Sequence, residues 1–274
     1  MRVIGMILSL SVFSLSAADL PATFKDPNLE QNVRNFIHGS DPGKPLTKEQ
    51  LDHVLLVSGS NQPIRDLSGL EKCPSLTTVY LTGSQVADLS PLRKLTNLEQ
   101  LTISGGQIKD LTPLAGLTGL NYLDLSLNQI SDLTPLANLK NLQTLKLSSN
   151  AIANLGPLQG MTQLQSLYLD GNQITDLKPL AALKSLQTLS IKQNRVADLT
   201  PLTSLTAWRA LYLDGNQVAD LAPLVTMVQP DRQPIKGVTP FWILSLRGNP
   251  LSPAAKSQQL PELQKRAFDV IFDR

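Results

Sequence analysis

Six aspartates recur along the chain at a fixed interval or its multiple: Asp88, Asp110, Asp132, Asp176, Asp198 and Asp220. Carboxylates in such a series could ligate calcium, or could cap exposed backbone N–H groups at a repeated turn. Calcium-binding β-solenoids use glycine-rich nonapeptides, and none occurs here. Asn154 takes the aspartate's place in one repeat, as capping permits, so capping is the expected role. The other chemistry-bearing residues are few. His38 and His53 lack an H-E-x-x-H spacing and a third ligand nearby, so no metal is expected. Cys73 is the one cysteine, which excludes an intrachain disulfide framework and a thiolate zinc cluster. Phosphate-binding loops and nucleophile elbows are absent, so neither a cofactor nor an enzymatic activity is expected.

The interval that spaces these aspartates is 22 residues. LTNLEQLTISGGQIKDLTPLAG (95–116) is followed without a gap by LTGLNYLDLSLNQISDLTPLAN (117–138), and seven such units run from 73 to 226. A half-match over 57–70 extends them upstream, and LSLRGNPL (244–251) closes them. The shared pattern is L-x-x-L-x-L-x-x-N-x-I, then x-D-L-x-P-L. Its alternating middle predicts a short strand, with one face buried and one exposed. Proline after D-L-x predicts a tight turn or a piece of 3₁₀-helix on the return side. Asn128, Asn150, Asn172, Asn194, Asn216 and Asn249 follow the strands. Their amides can bond the backbone of the turn and share such bonds between coils; Ser84 and Gly106 interrupt the series, so looser turns are expected there. A coil this short cannot bury its own leucines, and stacking neighbours does so. Strands stack ~4.8 Å apart while the return segments need more room, so the stack curves with its strands inside. Cys73 and Trp208 fall at leucine positions and belong to the core.

The fold expected is therefore an α/β solenoid: a right-handed curved horseshoe with a parallel sheet on its concave face and short 3₁₀ turns on its convex face. Four segments are expected. Residues 1–18 read as an export signal, with Arg2, an apolar stretch, and Ser16-Ala17-Ala18 before the cut. Residues 19–56 form a helical cap, with helices near 27–38 and 48–54 begun by Asp26-Pro27 and by the capping box Thr47-x-x-Gln50. Leu29, Val33, Phe36 and Ile37 would share the buried face of the first helix. The solenoid covers 57–251, with an insertion at 228–240 that would bulge as a recognition loop or a tolerated surface loop. Residues 252–274 close it with a helix over 253–266 and a strand over 268–272.

The units N-Q-I-x-D-L-x-P-L, such as 128–136 and 172–180, resemble those of the internalin-type bacterial leucine-rich-repeat proteins. The resemblance covers about 57–251 and extends to the helical front cap. It implies binding of host proteins or other partners on the concave face. The repeat residues that match are the buried ones, so the resemblance assigns no partner. No cell-wall sorting signal follows the repeats, and soluble export, to the exterior or the periplasm, is expected.

In this frame the third, fifth and seventh positions face the concavity. All four tyrosines lie there: Tyr80, Tyr122, Tyr168 and Tyr212. Tyrosine is a favoured interface anchor, though it also suits strands for its own packing. Asp124, Lys146, Asp170, Lys192, Asp214 and Arg247 share the face. Their signs alternate on successive rungs, so they either pair with one another or meet a charged ligand. A face about eight strands wide spans ~35–40 Å, which suits a protein partner. A glycan or cell-wall polymer stacked on the tyrosines is the alternative, and a hydrolase using Asp124 and Asp170 a further one. Those two carboxylates sit too openly for strong pKa tuning. The net charge is +2, from 24 basic and 22 acidic residues without a basic run, so no nucleic-acid partner is expected. No second apolar span follows the leader, so no membrane insertion is expected either.

Overall fold

The computed structural model of the chain describes residues 24–37, 39–227, 242–265 and 268–273. The expected export signal, the insertion at 228–240 and His38 lie outside the described residues. Strands β1 (Leu56–Ser60), β2 (Thr78–Thr82), β3 (Gln100–Ser104), β4 (Tyr122–Asp124) and β5 (Thr144–Lys146) stack in chain order. β6 (Ser166–Tyr168), β7 (Thr188–Ser190), β8 (Ala210–Tyr212), β9 (Trp242–Ser245) and β10 (Phe268–Ile271) complete the same sheet. Every neighbouring pair is parallel, and pairing partners from β1 through β8 lie one repeat apart, as with Lys146 and Tyr168. The result is a curved leucine-rich-repeat solenoid.

The leucine columns are sealed between coils. Leu164, Leu167, Leu169, Ile174 and Leu180 are fully buried, as are their counterparts above and below. Trp208 replaces a leucine and remains core, 5% exposed. Cys73 is buried in the same way, and burial first, then the charges of Glu71 and Asp52, push its thiol up to about 12. It is an inert hydrophobe at neutral pH.

On the return side, seven 3₁₀ segments recur, from Leu70–Lys72 to Thr200–Ser204, and all but the first carry proline at their start. Proline fits there because its fixed φ suits the turn and its missing N–H is not needed. Each aspartate stands one residue before the leucine that begins the turn and accepts the N–H two residues on. Asp110 takes that of Thr112 at 2.8 Å and Asp176 that of Lys178 at 2.8 Å. This is an Asx turn onto the first turn residue, one place earlier than an N-cap. Bonds from the hydroxyls of Thr112, Thr134 and Thr200, then from the backbone N–H groups, hold Asp110, Asp132 and Asp198 below the usual carboxylate range. Asn154 makes the same bond to Gly156, at 2.9 Å. In the eighth coil the return is a short helix, α3 (Ala222–Met227). The caps supply three more helices, α1 (Pro27–Arg34) and α2 (Lys48–Asp52) at the front and α4 (Leu260–Lys265) at the back.

The asparagines form a ladder along the ends of the strands. Asn172 accepts the Ile152 N–H at 2.9 Å and donates to the Leu147 and Leu169 carbonyls at 3.0 and 2.9 Å. One amide thus ties a coil to the one before it, and Asn128, Asn150, Asn194, Asn216 and Asn249 repeat the arrangement. The looser turns expected at Ser84 and Gly106 are not found. Backbone bonds there match those of other coils: Gln85 N–H to Ile64 O and Gln107 N–H to Val86 O are both 2.8 Å. Packing is in fact tight, since a Cβ on Gly106 would stand 2.6 Å from Val86 O. Backbone bonding sets these turns, and the side-chain ladder adds to it.

Both ends are covered. Asp26 accepts from Asn28 and Leu29 at the start of α1 and from the Arg65 N–H of the first coil, at 2.7 Å, joining cap to solenoid. Leu29 and Val33 are buried, but Phe36 faces outward at 45% exposure. The reason is that α1 stops at Arg34 instead of continuing to 38. Arg34 is pinned by Glu30 and by the Asp41 and Lys44 carbonyls, so the chain turns back before Phe36 can join the helix face. The Thr47–Gln50 capping box starts α2, between buried Leu46 and Leu51. At the other end, Gln259 accepts the Leu221 N–H and donates to Asp220, clamping the final helix to the eighth coil. That helix widens to a π turn over Ala255–Gln259, just before Pro261, which has no N–H to continue an α ladder.

Candidate binding surface

A parallel sheet places every other side chain of a strand on the same face, and the strand register therefore fixes the concave columns. Tyr80, Thr102, Asp124, Lys146, Tyr168, Ser190, Tyr212 and Ser245 are successive partners in one of them. Tyr122 lies in the neighbouring column, between Gln100 and Thr144. Asp170, Lys192, Asp214 and Arg247 follow the ends of their strands.

These residues are organised into two groups and one outlier. In the first, the Lys146 ammonium lies between two rings, 5.3 Å from the centre of Tyr122 and 5.6 Å from that of Tyr168. Its pKa is raised, first by bonding to the Tyr122 side chain and also by the charge of Asp124, against the desolvation that would lower it. In the second, Lys192 lies 5.1 Å from the centre of the Tyr212 ring. Tyr80 stands apart, 45% exposed. The tyrosines and lysines thus orient one another by cation–π attraction.

The alternating charges do not pair with one another: among the described residues, no ion pair joins them. The carboxylates turn to the backbone. One Asp170 oxygen accepts from the Ser190 hydroxyl at 2.5 Å and from the Lys192 N–H at 2.8 Å. Asp214 repeats this with the Ser245 hydroxyl at 2.5 Å and the Arg247 N–H at 2.9 Å. Asp124 accepts the Ser126 N–H just past the end of its own strand, at 3.0 Å. A backbone N–H and a short hydroxyl are already in place, whereas a lysine side chain must lose rotamer freedom to reach a carboxylate. The lysines are left to the rings.

Two features escape a reading of the sequence by concave columns alone. Ser190 and Ser245 are buried clamps for the aspartates, and their signal is a serine that pairs in the next strand with the tyrosine of Y-L-D at 168–170 and at 212–214. Leu127 is 59% exposed with φ +60°, in a column where Gly83, Gly105, Gly171, Gly215 and Gly248 supply the left-handed conformation. A leucine in a glycine column is the signal that would have found it. Among the described residues no three His, Cys, Asp or Glu side chains are grouped to hold a metal ion. No described helix is long and apolar enough to cross a membrane.

The repeats match a family model described as leucine-rich repeats (2 copies), over residues 96–138 and 140–182. Comparison with curated proteins finds no match. Among solved structures, internalin C2 of Listeria monocytogenes is 37% identical, with a TM-score of 0.70, over 74% of this chain and 89% of that one. The chain belongs to the internalin-type leucine-rich-repeat proteins. A second internalin of Listeria monocytogenes is 23% identical, with a TM-score of 0.50 and 94% of each chain covered. A leucine-rich-repeat protein of Leptospira interrogans, also 23% identical, reaches a TM-score of 0.63 over 84% of this chain and 63% of that one. At that identity the likeness is one of fold.

Proposed function

We propose that this internalin-type chain is an exported, non-catalytic protein-binding module, and that its partner docks on the concave face around Tyr122, Lys146, Tyr168, Lys192 and Tyr212. The observation that carries the proposal is the pair of part-exposed cation–π groups on a continuous parallel sheet. Rings and ammonium groups held in place before binding lose little freedom on contact, and tyrosine offers both an apolar ring and a hydroxyl. Asp170 and Asp214, already bonded to backbone N–H groups, hold the strand ends that carry these rings. No reaction is assigned to Asp124 or Asp170. The membership in a leucine-rich-repeat family supports a role in protein interaction, and the export signal read at 1–18 supports an extracellular or periplasmic partner.

The test begins with the secreted chain, whose first residue should be Asp19 by N-terminal sequencing. Used as bait in its native extracellular milieu, it should capture a protein whose affinity for it is then measured by calorimetry. The double variant Tyr168→Ala, Tyr212→Ala should weaken binding at least ~30-fold, as loss of central interface tyrosines does. An affinity unchanged in that variant overturns the concave-face reading.

A further inference from the structure

We propose a second binding site, for a neutral oligosaccharide, on the rim where the strands begin, in a notch opened by Gly119. The site is separate from the concave tyrosines and does not depend on their role.

One residue per coil occupies the same place just before the strands: Asn97, Gly119, Asn141 and Gln163 in four successive coils. Asn97 donates its side-chain N–H to the Pro74 carbonyl at 2.9 Å, and Asn141 to the Thr118 carbonyl at 2.9 Å. Each amide therefore ties its coil to the coil before it. Gly119 stands between them with no amide, so the Thr96 carbonyl, the equivalent acceptor, receives no such bond. A Cβ on Gly119 would lie 3.3 Å from Leu98 O and 3.4 Å from Thr96 O, so both oxygens face the space left by the missing side chain. A cavity of about 480 Å³ opens there, with Asn121, Gln143 and Gln163 around it and Glu99 as its one charged group. That volume falls within the range of small-ligand sites.

The lining selects the ligand. Among the described residues, the side chains of Asn121, Gln143 and Gln163 make no hydrogen bond within the protein, and each amide offers both donors and an acceptor. The Thr96 carbonyl adds an acceptor beside them. Adjacent hydroxyls on a sugar ring are donors and acceptors too, and match this mixture without carrying charge. Glu99 repels phosphate, sulfate and carboxylate groups, which disfavours nucleic acid and anionic glycans. A peptide would bring apolar side chains to a wall that has none to cover them.

Gly119→Asn rebuilds the amide that the neighbouring coils carry, and Asn97 and Asn141 show that asparagine fits this place in the fold. The full chain is titrated calorimetrically with maltotriose, chitotriose and mannotriose, with sialyllactose as the anionic control. Parallel arms carry the same neutral sugars on a protein carrier, which separates a free oligosaccharide from a glycoprotein as the source. At least one neutral trisaccharide should bind saturably, free or on its carrier, and sialyllactose should not. Gly119→Asn should lower that affinity about tenfold or more, the loss expected from two hydrogen bonds, with the melting temperature unchanged or raised. Gln143→Ala should weaken binding as well, and the Tyr168→Ala, Tyr212→Ala variant should not. The proposal fails if no neutral sugar binds in either form, if sialyllactose binds as well, or if Gly119→Asn binds as the parent does. It fails equally if the tyrosine variant abolishes binding, which places the sugar on the concave face.

Discussion

Two regions built on the same repeat use their polar groups in opposite ways. Along the strand ends, the asparagine amides are buried and saturated: Asn172 is 7% exposed and bonds to the backbone of its own coil and the one before. On the concave face, the Lys146 and Lys192 side chains meet tyrosines that are themselves partly exposed, by attraction to their rings and, for Lys146, by a bond to the Tyr122 side chain. Saturated groups hold the solenoid and have nothing left for a ligand. Weakly tied groups contribute little to the fold and are free to exchange partners. Burial and hydrogen-bond satisfaction, more than residue type, separate the structural polar residues from those available for recognition.

This contrast can be broken at several points, the sharpest being Asn172. Asn172→Ala should destabilise by roughly 2–4 kcal/mol in urea unfolding, because it strands the buried Ile152 N–H and removes the amide's bonds to the Leu147 and Leu169 carbonyls, which keep Asn150 and Asn194 as donors. A loss below ~1 kcal/mol would show that the ladder is dispensable. Asp170 sits between the two regimes, since its carboxylate is bonded but only part-buried. Asp170→Ala should cost about 1–2 kcal/mol, measured the same way, and a larger loss would move Asp170 to the structural side. The Tyr168→Ala, Tyr212→Ala variant should lose less stability than Asn172→Ala alone, about 1–2 kcal/mol for part-exposed rings. A loss matching that of Asn172→Ala would mean that these rings, too, belong to the fold.

The smallest effect per site concerns pH. Asp66, Asp110, Asp132 and Asp198 have folded-state pKa values below their ordinary 3.8. Their contribution to stability is therefore present above pH 3.8 and is lost as pH falls through the lowered folded values. The melting temperature should hold down to about pH 4 and decline below it, and Asp132→Asn should flatten that decline slightly. A decline that begins at pH 5–6 would point to other groups.

Much of the fold was legible because the repeat is so regular. The interval that brings Asn128 to Asn150 also sets the strand register, the burial of each leucine and the concave placement of Tyr80, Tyr168 and Tyr212. The proline turns and the Thr47–Gln50 capping box were legible for a similar reason: both depend on contacts within a few residues. The end of α1 was not, because it depends on Arg34 reaching carbonyls at Asp41 and Lys44 across a turn. Nor were the tight turns at Ser84 and Gly106, where backbone bonding between coils outweighs the missing amide.

The sequence by itself determined which side chains share a wall, since a fixed period on a stacked parallel sheet leaves the registered residues no other arrangement. Only the tertiary structure decided how those side chains pair once there. Alternating signs on successive rungs suggested carboxylate with ammonium, but Asp170 and Asp214 chose the fixed N–H and hydroxyl groups of the next coil, and Lys146 and Lys192 turned to tyrosine rings. Charge pattern specifies which groups attract. Geometry and the entropy of long side chains decide which attractions are realised.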